Sequence, residues 1–140
     1  MSFLLDTNVL SELRRDPPHA AVSGWAVAHN ADLLFLSVVT ILELEMGMLR
    51  LARRDGPQAA ILREWITARV LPGFHGRILP VDTAVARRCA ALHVPNPRPE
   101  RDAMIAATAL VHGLTVVTGN TADFARMGVP LLNPWLPAAQ

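Results

Sequence analysis

The sequence predicts an α/β fold: a parallel sheet covered by helices on both faces. Three observations predict it. Short, mostly apolar runs alternate with longer stretches of helical periodicity along the whole chain. The joints between them carry proline, glycine or a capping residue. The 140 residues are 51% apolar, enough to fold around one core, with no internal repeat, low-complexity segment or linker, so a single domain spanning 1–140 is expected.

The elements follow in order. Ser2–Leu5 reads as a short buried strand, and Thr7–Arg15 as a helix stopped by Pro17-Pro18. Pro18 is placed to open the next helix, His19–His29. Leu33–Leu36 is a second strand. Val38–Arg54 is a long helix, with Leu42, Met46 and Leu49 at helical spacing and Arg50, Arg53 and Arg54 near its C-terminal end. "DGP" at 55–57 breaks it, Gln58–Leu71 forms another helix, and "PGFHG" at 72–76 ends that one. "RILPV" (77–81) is a brief strand, after which Asp82 stands at a natural N-cap for Thr83–Leu92. The proline-rich 93–101 is a loop, Arg101–His112 an Ala-rich helix ended by Gly113, and 114–118 a β-branched strand. Thr121–Arg126 is a last short helix, and Val129–Leu132 an edge strand.

Composition excludes several classes. No apolar run approaches the ~20 residues that span a bilayer, and no basic region precedes a long apolar stretch as in a signal peptide. Cys89 is the only cysteine, which excludes an internal disulfide and a Cys-rich zinc site and fits a reducing cytoplasm. Set in an alanine-rich helix, it reads as core. The net charge of +1 is not that of a strongly basic nucleic-acid binder, although all 13 basic residues are arginine, whose planar fork suits phosphate. There is no G-x-S-x-G, H-E-x-x-H or P-loop.

The acids carry more information. In open parallel sheets, ligands bind beyond the carboxyl ends of the strands. Asp6 directly follows the first strand, and Asn120 and Asp123 follow the 114–118 strand; Glu43 and Asp102 lie early in helices. Each also has a capping role open to it. Asp6 can cap Thr7–Arg15, Thr40-Ile-Leu-Glu43 fits a capping box, and Asp102 and Asp123 suit helix N-termini. Against caps alone, Asp102 precedes "AMIAATAL" and Glu43 sits within "TILELEMGML", both mostly apolar. Carboxylates crowded into such surroundings raise their pKa and repel one another, and a hard divalent ion such as Mg²⁺ or Mn²⁺ is the usual remedy.

"LLDTNVLSEL", "ILELEMG", "DAMIAATAL", "VVTGNTADF" and "NPW", with "GRILPVD" at 76–82, resemble the PIN-domain ribonucleases of the VapC toxin family, especially its FitB-like members. The resemblance runs from residue 2 to about 135. It implies a three-layer α/β/α sandwich with a parallel sheet of four or five strands, and a Mg²⁺- or Mn²⁺-dependent endoribonuclease. It also implies a homodimer and a cognate antitoxin whose C-terminal segment blocks the site. By position, Asp6, Glu43 and Asp102 match the family acids that hold metal. The fourth acid falls to Asp123 or is replaced by Asn120, and Gly119 stands where the family often has Arg. Thr7, Asn8 and Thr118 are candidates to orient Asp6 or meet substrate, and Arg14, Arg15 and Arg50 to draw RNA. The surplus of large apolar residues over Val38–Leu51 suits a dimer or antitoxin surface.

Other enzymes that place an Asp after the first strand, such as haloacid-dehalogenase-type phosphatases and receiver domains, need a lysine, which this chain lacks. The remaining alternative is a catalytically impaired PIN-fold protein that acts by binding its antitoxin or RNA, suggested by Gly119 and Asn120.

Overall fold

The computed structural model describes residues 1–137. Strands β1 (Phe3–Leu5), β2 (Leu34–Ser37), β3 (Ile78–Leu79), β4 (Thr115–Val117) and β5 (Leu131–Leu132) form one parallel sheet in the order β3-β2-β1-β4-β5. In register, Leu4 pairs with Phe35 on one side and Val116 on the other. From β1 the chain winds outward through β2 to β3, then returns to lay β4 and β5 on the opposite side. The reversal falls between β1 and β4, the place where an open parallel sheet leaves a crevice at its carboxyl edge.

Helices cover both faces. They are α1 (Thr7–Arg14), α2 (Ala20–Val27), α3 (Val38–Ala52), α4 (Gly56–Trp65), α5 (Leu71–Gly73), α6 (Thr83–Leu92), α7 (Glu100–His112) and α8 (Thr121–Phe124). Period-two alternation divides the strand side chains between two cores. Leu4 and Val116 join Val85, Ile105 and Phe124 under α6, α7 and α8. Phe3, Leu5 and Val117 join Val9, Leu10, Val22, Leu44 and Met48 under α1, α2 and α3. In α7, Ala103, Ala106, Ala107 and Ala109 are fully buried, so the Ala-rich sequence lets this helix pack closely on its neighbours. No helix among the described residues is long and apolar enough to cross a membrane.

Local chemistry moves several expected boundaries. Pro18 does not open the second helix: His19 caps α2, its side chain accepting from Ala21 N–H. A 3₁₀ turn at Ala31–Leu33, capped by Asn30, shifts β2 one residue later. "DGP" starts α4 as well as ending α3, because Asp55 accepts from Gln58 N–H and Pro57 sits in the first turn. Helical winding also passes Pro72. A π-type turn over Ile66–Val70 precedes it, and proline's missing N–H falls in the first turn of α5, where it is tolerated. Gly113, at φ 67°, ends α7 in the left-handed conformation.

The stripe of Leu42, Met46 and Leu49 that marks α3 as a helix is its outer one. The buried side is Val39, Thr40, Leu44 and Met48, while Val38, Leu42 and Leu49 stay exposed.

Candidate active site

Asp6 is buried at the carboxyl end of β1, directly ahead of α1. Its Oδ1 accepts from Thr7 N–H at 2.8 Å, and its Oδ2 accepts from the Thr118 hydroxyl at 2.8 Å across the β1–β4 crevice. Asp6 is thus both a helix cap and one end of a polar network. Thr118 Oγ1 in turn accepts from Asn120 N–H at 3.0 Å and from Asn8 Nδ2 at 3.3 Å, and Asn8 Oδ1 faces Gly119 N–H at 3.4 Å. Asn8 therefore acts on Thr118 and the turn after β4 rather than on Asp6 itself.

Glu43 enters from α3. Ser37, not Thr40, caps that helix, its hydroxyl accepting from Val39 N–H at 3.0 Å. Thr40 and Glu43 consequently lie inside the helix, so they form no capping box. Glu43 Oε1 instead accepts from the Thr7 hydroxyl at 2.7 Å, and Thr40 Oγ1 lies 3.1 Å from the same Thr7 oxygen. Since the single Thr7 hydroxyl proton goes to Glu43, Thr40 is the donor in the second contact. The other Glu43 oxygen is 3.8 Å from Arg101 Nη1, a half-exposed and therefore weak ion pair.

Asp102 lies in the first turn of α7, and Asp123 in the first turn of α8. Burial pushes the Asp102 carboxyl up to about 6, aided by the negative charges of Asp6, Asp123 and Glu43 and opposed by Arg101. Burial also raises Asp6 despite the hydrogen bonds from Thr118 and Thr7, with Glu43 and Asp123 adding to the rise. The four acids thus share one electrostatic neighbourhood at the crevice. Of the two candidates for the fourth position, Asp123 adds to the negative charge felt by Asp6 and Asp102, whereas Asn120 caps α8 through its backbone and donates its N–H to Thr118.

Glu43, Asp102, Arg101, Glu100 and Pro99 line a pocket of about 430 Å³ at this edge. A larger, apolar cavity of about 850 Å³ is lined by residues such as Trp25, His29, Leu131 and Pro134 and by none of the acids. The chemistry lies in the smaller one.

Does this donor set suit a divalent cation? Among the described residues, no three His, Cys, Asp or Glu side chains converge closely enough to enclose an ion unaided. Mg²⁺ does not require that, because it keeps several waters and takes one or two carboxylates directly. Hard oxygen donors, an excess of negative charge and one weakly paired arginine fit such a hydrated ion.

Two groups of residues escaped the sequence reading. Thr40 and Arg101 join the network; Arg101 adjoins Asp102 in "ERDAM", so its proximity was readable there. Trp135 explains Gly119. A Cβ at residue 119 would stand 2.8 Å from the Trp135 ring, so a side chain there requires the ring to shift. The "NPW" turn holds that ring in place, with Asn133 Oδ1 accepting from Trp135 N–H at 2.9 Å. Of the arginines expected to draw RNA, Arg14 lies over the Trp65 ring and Arg15 makes an exposed pair with Glu12.

The chain matches the PIN domain family over residues 3–130 and belongs to that family. It is 37% identical over 140 residues to "VapC ribonuclease Y4jK" of Sinorhizobium fredii, covering 96% of this chain and 99% of the relative. It is 38% identical over 138 residues to "Toxin FitB" of Neisseria gonorrhoeae, covering 94% and 97%. The crystal structure of FitAcB from Neisseria gonorrhoeae superposes with a TM-score of 0.87 at 37% identity, covering 95% of this chain and 98% of that one.

Two outcomes follow from the geometry. Gly119→Ala destabilises the fold by about 1–3 kcal/mol by overpacking. In a Trp135→Ala background the same change costs almost nothing, a double-mutant cycle read by denaturant unfolding. The second concerns pH. Because Asp102 titrates near 6 in the fold and at 3.8 ordinarily, the native chain binds a proton between those values that the unfolded chain has released. Stability is therefore lost as pH rises through that window, and below it no penalty remains. In metal-free buffer, Asp102→Asn melts above the wild type at about pH 7.5, and the gap closes towards about pH 4.

Proposed function

We propose that this chain is an endoribonuclease toxin of the VapC type, dependent on Mg²⁺ or Mn²⁺, that hydrolyses phosphodiester bonds in RNA. The observation that carries the reading is the pocket that Glu43 and Asp102 line at the sheet edge where buried Asp6 ends β1, with the Asp102 carboxyl raised first by burial and then by the charges of Asp6, Asp123 and Glu43. Such crowding is destabilising for the fold alone and useful for charge-neutralising chemistry on a phosphate. The similarity to a relative named a ribonuclease and another named a toxin supports the same reading.

Each residue then has a defined task. Asp6, Glu43 and Asp102 would offer carboxylate oxygens to the metal, directly or through its bound waters, and Asp123 would add the fourth charge at the rim. Thr118 and Thr7 N–H hold the two Asp6 oxygens, which fixes the direction of its free lone pairs. Thr7 does the same for Glu43, with Thr40 behind it. A bound Mg²⁺ or Mn²⁺ supplies charge neutralisation at the phosphoryl oxygens and acidifies the attacking water. Arg101, 3.8 Å from Glu43, would compete with such a cation for this carboxylate.

A partner surface accompanies the site. Val38, Leu42 and Leu49 leave an apolar stripe on α3, the helix that carries Glu43. We assign that stripe to the homodimer or to a cognate antitoxin, whose C-terminal segment would then pass close to the acids. The adaptable Met46 lies on the same helix.

The experiment is cleavage of labelled single-stranded RNA by the purified chain with Mn²⁺. Cleavage is expected, is lost in EDTA, and falls on the order of 100-fold or more in Asp6→Asn, Glu43→Gln and Asp102→Asn. Thr118→Val, which removes the hydroxyl that holds Asp6 and receives Asn120 and Asn8, costs about 10–100-fold in activity or Mn²⁺ affinity. Equal cleavage by wild type and Asp6→Asn refutes the assigned site. Absence of cleavage on any RNA leaves a binding-only PIN protein, the reading that Gly119 suggests.

A further inference from the structure

Beside the acid pocket lies a second, basic one. It has a volume of about 290 Å³, between the proline-rich loop and α8, and its walls include Pro97, Arg98, Pro99, Asp123 and Arg126. Pro99 lines the acid pocket as well, and Asp123 belongs to the acid cluster, so the two pockets adjoin.

Three observations mark this wedge as unfinished. Arg98 is half-buried, and its Nε is shut off from solvent with no hydrogen-bond partner. Leaving a guanidinium donor unmet carries a desolvation penalty, and it adds to the cost of a half-buried charge that lacks a counter-ion. Among the described residues, neither Arg98 nor Arg126 takes part in an ion pair. Both are carried by anchored backbone. Arg98 sits between two prolines, and its N–H donates to His93 Nδ1 at 3.1 Å. Arg126 lies on the outer side of the α8 turn, whose inner side is anchored by buried Phe124 and Met127. Two arginines lining one cleft suit a tetrahedral phosphate, which arginine binds through paired N–H donors. Asp123 bounds the cleft on the acid side and separates the cation-seeking region from the anion-seeking one.

We propose that Arg98 and Arg126 form a phosphate subsite that grips the backbone of single-stranded RNA next to the bond being cut. The proposal rests on the ribonuclease reading and adds a residue pair that positions substrate. It also accounts for how a chain with a net charge of only +1 holds a polyanion against a cluster of acids: the contact is local, two arginines beside the crevice, rather than a broad basic face.

The test is fluorescence anisotropy of a labelled single-stranded RNA of about ten nucleotides, with EDTA present to prevent cleavage. Arg98→Gln and Arg126→Gln are each expected to weaken binding about threefold to tenfold. Each also lowers the slope of log affinity against log salt by about 0.7. Arg126 is exposed, so its variant keeps the fold; Arg54→Gln, a charge loss at the far end of α3, leaves the slope unaltered. Wild-type slopes in both wedge variants, or an equal loss in Arg54→Gln, overturn the subsite. If the wild type cleaves RNA while the wedge variants bind it normally, the subsite alone falls. If the wild type neither binds nor cleaves RNA, the ribonuclease reading falls with it.

Discussion

Negative charge crowded at the carboxyl edge of a parallel sheet is the constraint around which this molecule is arranged. β1 and β4 are neighbours because the chain reverses its winding between them. That reversal brings the residues following each strand, Asp6 on one side and Thr118 to Asp123 on the other, to the same crevice. α3 and α7 then deliver Glu43 and Asp102 from the flanking layers. Two well-placed donors would ordinarily depress the Asp6 carboxyl, yet burial and its acidic neighbours outweigh them. The site is held together by threonine hydroxyls, which orient carboxylates without neutralising them.

The rest of the fold supports this strained edge from a distance. Two apolar cores, one on each face of the sheet, fix the strands and the fully buried alanines of α7, so the acids sit on elements that cannot easily move apart. Polar order and charge disorder are thereby separated. Hydrogen bonds determine where each oxygen points, and the unmet charge determines what the crevice will accept. The adjoining wedge of Arg98 and Arg126 has the opposite imbalance. A metal ion and a polyanion together would settle both, an arrangement suited to hydrolysing a phosphate backbone.

Much of this was legible before any coordinates. Short apolar or β-branched runs located the five strands, helical periodicity located most helices, and the order of elements gave the parallel sheet. Asp6, Glu43, Asp102 and Asp123 were visible because each sits just beyond a strand or within an apolar stretch that a solvated acid would avoid. Less legible was what depends on side chains far apart in sequence. The capping-box pattern at Thr40–Glu43 was misleading because Ser37, one step beyond the expected end of β2, takes the cap. Pro72 looked like a stop, but the widened turn before it accommodates its missing donor. Gly119 looked like a lost arginine, and only the position of the Trp135 ring explains it. The arginines near the crevice could not be picked from 13 candidates by composition. Their relevance comes from loop and helix geometry that no periodicity encodes.

The most direct test of the shared charge is calorimetric titration of Mn²⁺ into the chain in two buffers of different ionisation enthalpy. Near pH 6, where Asp102 is part-protonated, binding should release on the order of half a proton per ion. The release should fade towards pH 8 and be absent in Asp102→Asn. Saturable binding with no proton release near pH 6, or no saturable binding at all, would contradict the account.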